Sequence, residues 1–280
     1  MNIRQLLRQT TEQLKQAGCK APRLDAELLL MFVWHINRTD LIIRSHDEVS
    51  AAVENNFNIL VKRRARREPL AYITGEKEFW SRPFAVTPDV LIPRPETEHL
   101  VEAVLEHFPN KNGSYHFCDI GTGSGCIAVT LACEYPQARI VATDISGAAL
   151  DIARRNAENH GAGGRITFRQ GDMLEALLEN DALFHAIISN PPYVAEHEMN
   201  GLEQELAQEP RCALTDEQDG LKYLTVLLHN APTYLHTGGY IILETGLCGL
   251  PETPANLRYQ QPIHDLAGHL RGGIYHLPCI

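Results

Sequence analysis

The chain has 280 residues, 44% of them hydrophobic and 21% charged, and a formal net charge of −10. That length suits two domains, and so acidic a composition argues against a protein that wraps nucleic acid by neutralising phosphates; no stable nucleic-acid binding is expected. No apolar run approaches the roughly 18 residues of a membrane span, and the opening "MNIRQLLRQTTEQL" has neither the apolar core nor the cleavage site of a signal peptide, so no membrane association is expected.

Residues 1 to about 75 predict a small helical bundle. Ile3, Leu6, Leu7 and Leu14 recur at helical spacing, Pro22 suits a first helical turn, and the segment after it carries an apolar stripe. A third helical segment follows Asp47 and ends in the basic run Lys62 to Arg67. Such a run is either a solvated helix end, where cations also suit the dipole, or a dock for an acidic partner or RNA; short charge runs favour the first reading. Residues 76–93 hold strand formers interrupted by Pro83 and Pro88, the pattern of a β-hairpin linker. From Arg94 to Gly246 helices and strands alternate, which predicts an α/β domain with a doubly wound, mostly parallel sheet covered on both faces.

The seven cysteines, Cys19, Cys118, Cys126, Cys133, Cys212, Cys248 and Cys279, are odd in number and form no CxxC pair. This points to a reducing, cytoplasmic compartment rather than to a disulfide framework or a zinc knot. The 13 histidines are scattered, with no HExxH or comparable spacing, so no metal site is expected.

Between a predicted strand and helix lies Asp119-Ile120-Gly121-Thr122-Gly123-Ser124-Gly125. Glycines at such a turn let the backbone bend tightly and approach a ligand. The spacing is GxGxG, not the dinucleotide fingerprint GxGxxG, because Cys126 takes the sixth position. Asp144 ends the next strand, at the distance where an acid grips ribose hydroxyls. Asp172 ends the third strand and is placed to accept from an adenine amino group. An acid, a GxGxG loop and two acids at successive strand ends suit S-adenosylmethionine, which has a ribose and an adenine but no phosphate.

After the fourth strand comes Asn190-Pro191-Pro192-Tyr193. In an open doubly wound sheet, ligands bind outside the carboxyl ends of the strands, so this stretch faces the same crevice as the glycine loop. Its chemistry suits a planar NH2 group. The Asn190 side-chain oxygen and the Pro191 carbonyl can each accept one N–H, fixing a weakly nucleophilic nitrogen and favouring the positive charge it gains on methylation. The prolines stiffen the loop, and Tyr193 can pack against the substrate plane.

With these residues in view, the chain resembles the PrmC/HemK family, peptide-chain release factor glutamine methyltransferases. The resemblance rests on "EPLAYITGEKEFW", "LIPRPETE" (Leu91 to Glu98), "DIGTGSG", "NPPY", Glu209-Pro210 with Ala213-Leu214, and Asp219 to Leu221. It implies a Rossmann-like S-adenosylmethionine-dependent methyltransferase domain and methylation of the GGQ-motif glutamine in class-one release factors. Gly121, Thr122, Gly123, Ser124, Gly125, Asp144, Asp172 and Met173 would hold the cofactor. Asn190, Pro191, Pro192 and Tyr193 would bind the glutamine, with Asn190 also near the methyl donor. The helical N-terminal domain would dock the release factor, and a monomer is expected. "NPPY" alone is shared with adenine-amino nucleic-acid methyltransferases, which keeps that activity as the alternative.

The resulting domain reading is 1–75 helical docking domain, 76–93 hairpin linker, 94–246 methyltransferase domain and 247–280 tail. The tail, "LCGLPETPANLRYQQPIHDLAGHLRGGIYHLPCI", has four prolines, no clear amphipathic helix and no alternating strand pair. It is expected to be unrelated to the family, as a frameshift near codon 245 would make it, and poorly folded. A catalytically weak, release-factor-binding protein is the reading that such a tail would favour.

Overall fold

The computed structural model describes residues 1–178 and 181–279. They form two compact units, one of Met1–Glu76 with Glu203–Gln208, the other of Lys77–Leu202 with Glu209–Ile280.

The first unit is helical: α1 (Ile3–Gln16), α2 (Pro22–Trp34), α3 (Arg38–Ile43), α4 (Ala51–Ala65) and α5 (Leu70–Thr74). Asn2 opens α1 with a capping box closed by Gln5, Pro22 occupies the first turn of α2, and the Ser50 hydroxyl caps α4. The spaced apolar residues do what their period predicts: Ile3, Leu6, Leu7 and Leu14 are buried with Leu29, Leu30, Phe57 and Val61 in one core. Three cations of the basic run are paired within this unit. Arg63 pairs with Glu68, Arg64 with Asp25 at 2.8 Å and Glu205 at 2.9 Å, and Arg67 with Glu205. Lys20 pairs with Glu203, and Gln208 donates to the Arg66 carbonyl, so the segment 203–208 is sewn into this unit by side chains. Lys62 and Arg66 are exposed.

The second unit opens with the hairpin β1 (Glu76–Phe79) and β2 (Arg82–Ala85), which turns on Trp80 and Ser81, both with φ above +50° (52° and 54°). Phe79 and Phe84 meet edge to face, 6.0 Å apart. After it come α6 (Glu98–His107), β3 (His116–Ile120), α7 (Cys126–Glu134), β4 (Arg139–Asp144), α8 (Gly147–Asn159), β5 (Ile166–Gln170), β6 (Phe184–Ser189), α9 (Lys222–Asn230), β7 (Leu235–Glu244), β8 (Arg258–His264) and β9 (Leu270–His276). Asn156 of α8 bonds both the N–H and the carbonyl of Ala85, so the hairpin is held against this helix. The seven-stranded sheet has the order β5-β4-β3-β6-β7-β9-β8. Its strands are parallel except β9, which runs antiparallel to both neighbours. One apolar core packs α6 and α7 on one face, and a second packs α9 on the other.

The tail is therefore corrected. Residues 258–276 are an antiparallel strand pair that completes the sheet, and β9 pairs with β7 from Tyr240–His276 to Glu244–Gly272. The residues that read as breakers have places in it. Pro262 sits on β8, the edge strand, where a missing N–H is tolerated. At Gly272 a Cβ would lie 2.2 Å from the Leu243 carbonyl oxygen, so only glycine admits the close approach of β7. Asp265 accepts from the N–H groups of Ala267 and His269 and from Arg271, closing the turn between the two strands. Residues 245–257, which connect the parallel strands β7 and β8, contain no helix.

Candidate active site

The order of the sheet reverses between β3 and β6: β4 and β5 lie on one side, β7 on the other. The crevice at their carboxyl ends is where such sheets bind ligands. The Ser189 hydroxyl donates to the Ile120 carbonyl at 2.7 Å and ties the two strand ends together. The chain leaves β3 through Gly121 (φ 71°) and Gly123 (φ 54°), both in the left-handed region, where a Cβ would meet open space rather than protein. Gly125 differs, because a Cβ there would lie 3.0 Å from Ala153, so this glycine serves the packing of α7 on α8.

Asp119 lies fully buried under the loop. Its Oδ2 accepts from the Thr122 hydroxyl at 2.6 Å and from the Ala128 N–H at 3.1 Å, while Oδ1 has no partner. Burial pushes its pKa up to about 7, against those two bonds. Asp144, at the end of β4, accepts from the N–H groups of Gly123 and Ser146, both at 2.9 Å. It therefore locks the glycine loop as well as facing the crevice, and burial raises its pKa too.

These residues line a cavity of about 310 Å³. Gly121, Gly123, Asp144 and Ile145 form one wall, Asp172 and Met173 a second, Asn190 and Pro192 a third, and Pro88 to Leu91 with Cys212 and Tyr223 close the remainder. Met173 holds a φ of 47°, which turns the chain sharply after Asp172. Open space at two left-handed glycines, acceptors at two strand ends and apolar walls are the surroundings that an adenosyl group needs. Among the described residues, no group of three or more His, Cys, Asp or Glu could hold a metal ion.

The NPPY stretch leaves β6 at the mouth of this cavity. Asn190 Nδ2 donates to the Thr97 hydroxyl at 3.0 Å. Tyr193 donates its hydroxyl to Glu244 Oε1 at 2.9 Å, and its ring sits so near Gly246 that a Cβ there would come within 2.8 Å of it. Glu244 ends β7 fully buried, and burial pushes its pKa up to about 7 despite the hydrogen bond from Tyr193. Glu209 is buried as well; it accepts from the Ile92 N–H at 3.0 Å and from Arg94 at 2.5 Å, joining the chain beyond NPPY to the Leu91–Glu98 segment.

Of the residues singled out in the sequence, Gly121, Gly123, Asp144, Asp172, Met173, Asn190 and Pro192 line the cavity. Thr122 turns inward to Asp119 and Ser124 is buried, so neither side chain lines it. Pro191 is buried and does not line it, and Tyr193 donates to Glu244. Sequence reasoning missed Thr97, Glu244 and the Pro88–Leu91 wall. The motif "LIPRPETE" was the available signal for Thr97, but it carries no distance to Asn190.

Comparison with known proteins agrees with this geometry. Residues 5–75 match the family model described as PrmC N-terminal domain, and residues 98–220 match the Methyltransferase small domain. A release factor glutamine methyltransferase of Coxiella burnetii is 43% identical over 246 residues, 88% of this chain and 86% of its own. One from Moorella thermoacetica is 41% identical over 279 aligned residues, 97% of each chain. Among solved structures, the hMettl16 catalytic domain in complex with MAT2A 3'UTR hairpin 6 has a TM-score of 0.51 at 15% identity, covering 70% of this chain and 74% of that one. The likeness is one of fold.

Proposed function

The chain belongs to the release factor glutamine methyltransferase family, and from that premise we propose that it methylates the side-chain amide nitrogen of the GGQ-motif glutamine in class-one peptide-chain release factors, in support of translation termination. The observation that carries the reading is the Asn190 amide at the cavity mouth, with Nδ2 tied to Thr97. Its Oδ1 is thereby left as an acceptor for a planar NH2.

When bound, S-adenosylmethionine supplies an electrophilic sulfonium methyl that an amide nitrogen can displace in line. Asp144 would accept from the ribose hydroxyls with the lone pairs that Gly123 and Ser146 leave, Asp172 would face the adenine, and the bare backbone of Gly121 and Gly123 would let the ligand approach. Asn190 Oδ1 and the Pro191 carbonyl would hold the two N–H bonds of the glutamine. Both are neutral acceptors. They stabilise a nitrogen that becomes more positive without taking its proton in advance, and the fixed proline φ removes reorganisation from that step. No strong general base is required, because the N–H is acidified as the methyl arrives.

We read the protein as a cytoplasmic monomer whose helical unit docks the release factor. The odd number of cysteines and the lack of a CxxC pair support a reducing compartment. Among the described residues no helix is long and apolar enough to cross a membrane. The paired β9 and β8 of the tail complete the sheet, which supports a competent enzyme over a catalytically weak one.

The test combines purified protein, S-adenosylmethionine and a class-one release factor, with mass spectrometry of the GGQ peptide. A single methyl on that glutamine, absent with Asn190→Ala, is expected. A methylated DNA duplex with an unmodified release factor would overturn the assignment in favour of an adenine-amino methyltransferase.

A further inference from the structure

An asparagine side chain has an oxygen and an NH2 of nearly equal shape, so only its hydrogen bonds decide which of them faces a ligand. In this site the choice matters. With Oδ1 outward, Asn190 accepts from the substrate amide; with Nδ2 outward, a donor meets a donor. Among the described residues, the one side-chain partner of Asn190 is the Thr97 hydroxyl, 3.0 Å from Nδ2. A hydroxyl can accept or donate, so Thr97 alone does not settle the direction. Its own proton must be committed elsewhere.

The buried Glu244 carboxyl is the group that can take it. Thr97 and Glu244 are both buried, at 2% and 1% exposure, and the Thr97 hydroxyl interacts with the Glu244 carboxyl. Oε1 already accepts from Tyr193, while Oε2 is buried with no hydrogen-bond partner among the described residues. A carboxylate has no proton to give. If Thr97 donates to it, only the lone pairs of Thr97 remain for Asn190, and the Asn190 NH2 must turn inward. The same carboxylate anchors Tyr193, three residues along the loop, so both ends of the NPPY stretch rest on one buried group.

We propose that Thr97 and Glu244 are positioning residues for the methyl-accepting cradle: Thr97 sets the direction of the Asn190 amide, and Glu244 sets the direction of Thr97 while anchoring Tyr193. The proposal rests on the methyltransferase reading above. It also accounts for a costly feature. A buried carboxylate with an unsatisfied oxygen is unfavourable, and packing alone gives no reason to prefer it over glutamine. When Glu244 is protonated its O–H can donate to Thr97, whose hydrogen is then free to turn toward Asn190 and stabilise the reversed amide. Ionisation of Glu244 should therefore favour turnover. The ionisable groups that bear on it are Tyr193 on the loop, Glu96 before α6, Arg271 on β9 and Cys126 on α7.

Three variants test this: Thr97→Val, which keeps the shape without the hydroxyl, Thr97→Ser, which restores the hydroxyl, and Glu244→Gln. The first readout needs no turnover: exchange of the Asn190 side-chain NH2 protons, followed by 15N-edited NMR. We expect protection in the wild type and in Thr97→Ser, and exchange at least ten-fold faster in Thr97→Val. The second is methylation of a release factor. We expect kcat to fall at least ten-fold in Thr97→Val with the Kd for S-adenosylmethionine unchanged, to recover most of the way in Thr97→Ser, and to lose its rise between pH 6 and 8 in Glu244→Gln (a window of about one unit either side of the Glu244 titration). Unprotected Asn190 protons in the wild type, or full kcat in Thr97→Val, would overturn the proposal, as would equal loss in the valine and serine variants. A wild type that methylates no release factor yet protects the Asn190 NH2 would instead remove the functional reading and leave the hydrogen-bond assignment standing.

Discussion

Glu205 offers a measurable test of how the helical unit is held together. Its carboxylate receives Arg64 at 2.9 Å and Arg67 at 2.8 Å, with its side chain only 15% exposed and that of Arg64 only 7%. Burial works against ionisation, but the hydrogen bonds from Arg67 and Arg64 outweigh it and hold the pKa down to about 2 from a usual 4.5. A difference of about 2.5 units corresponds to about 3 kcal/mol of stability at pH 7, in the range seen when one partner of a buried ion pair is removed. The sign follows from linkage. A depressed folded-state pKa contributes stability above the unfolded value of 4.5 and loses it as pH falls toward 2. Glu205→Gln should therefore cost about 3 kcal/mol at pH 7, and the gap from wild type should narrow to about 1.4 kcal/mol at pH 3. Trp34 on α2 reports on this unit, and a Trp80→Phe background removes the other tryptophan. In urea the midpoint should fall by about 2 M, for a slope of about 1.5 kcal/mol/M. An unchanged midpoint at pH 7, or a gap that stays constant on acidification, would refute the reasoning.

Two further predictions concern the second unit. Gly272→Ala places a Cβ where the Leu243 oxygen stands 2.2 Å away, so β9 must move off β7; we expect a loss of about 3 kcal/mol and a Tm lowered by roughly 6–10 °C, whereas Gly164→Ala, with no atom within 4 Å, should change stability by less than about 0.5 kcal/mol. Asp119 and Glu244 have folded-state pKa values near 7, raised by burial from 3.8 and 4.5. Raised values give stability that is complete below the unfolded pKa and lost as pH rises through 7. Denaturant titrations of the ligand-free protein should show stability falling by up to about 1.4 kcal/mol per pH unit for each group, with Asp119→Asn removing its share of the slope; stability that climbs with pH over this interval would contradict the assignment.

The parts of the molecule that follow from local pattern were legible in the sequence. Pro22 at the first turn of α2, the spaced leucines of α1 and the strand–glycine–helix passage through Gly121 are dictated within a few residues. The same holds for the placement of Asn190 after β6, because the alternation of strands and helices fixes where strand ends lie. What was hidden depends on partners far along the chain. Thr97 meets Asn190 across 93 residues and Tyr193 meets Glu244 across 51. The basic run looked like a surface because Glu205, which neutralises Arg64 and Arg67, lies 141 and 138 residues away. The tail misled for a different reason. Gly272, Gly273 and Pro262 count as breakers by propensity, but a glycine beside a close backbone and a proline on an edge strand satisfy steric demands that only the assembled sheet makes.

The acids at the cavity bear on how the cofactor is distinguished from its demethylated product. Asp119 beneath the glycine loop has its pKa pushed up to about 7 by burial, and Asp144 on the wall is raised in the same direction. Each would ionise more readily beside a positive charge. S-adenosylmethionine carries that charge on sulfur; S-adenosylhomocysteine does not. Binding the charged ligand should therefore expel a proton from Asp119 while it is still protonated, and its affinity should rise with pH until that carboxyl is ionised in the free protein, by up to about ten-fold for each unit of pKa depression. Affinity for the neutral product should change much less over the same range, so the preference for the charged cofactor over its product should widen as pH rises. Calorimetry with both ligands from pH 5.5 to 8, in two buffers of different ionisation enthalpy, reads the proton count directly. Release of protons with S-adenosylmethionine and little or none with S-adenosylhomocysteine is the expected result. Equal proton release by the two ligands would mean that desolvation by the adenosine, not the sulfonium charge, governs these carboxyls.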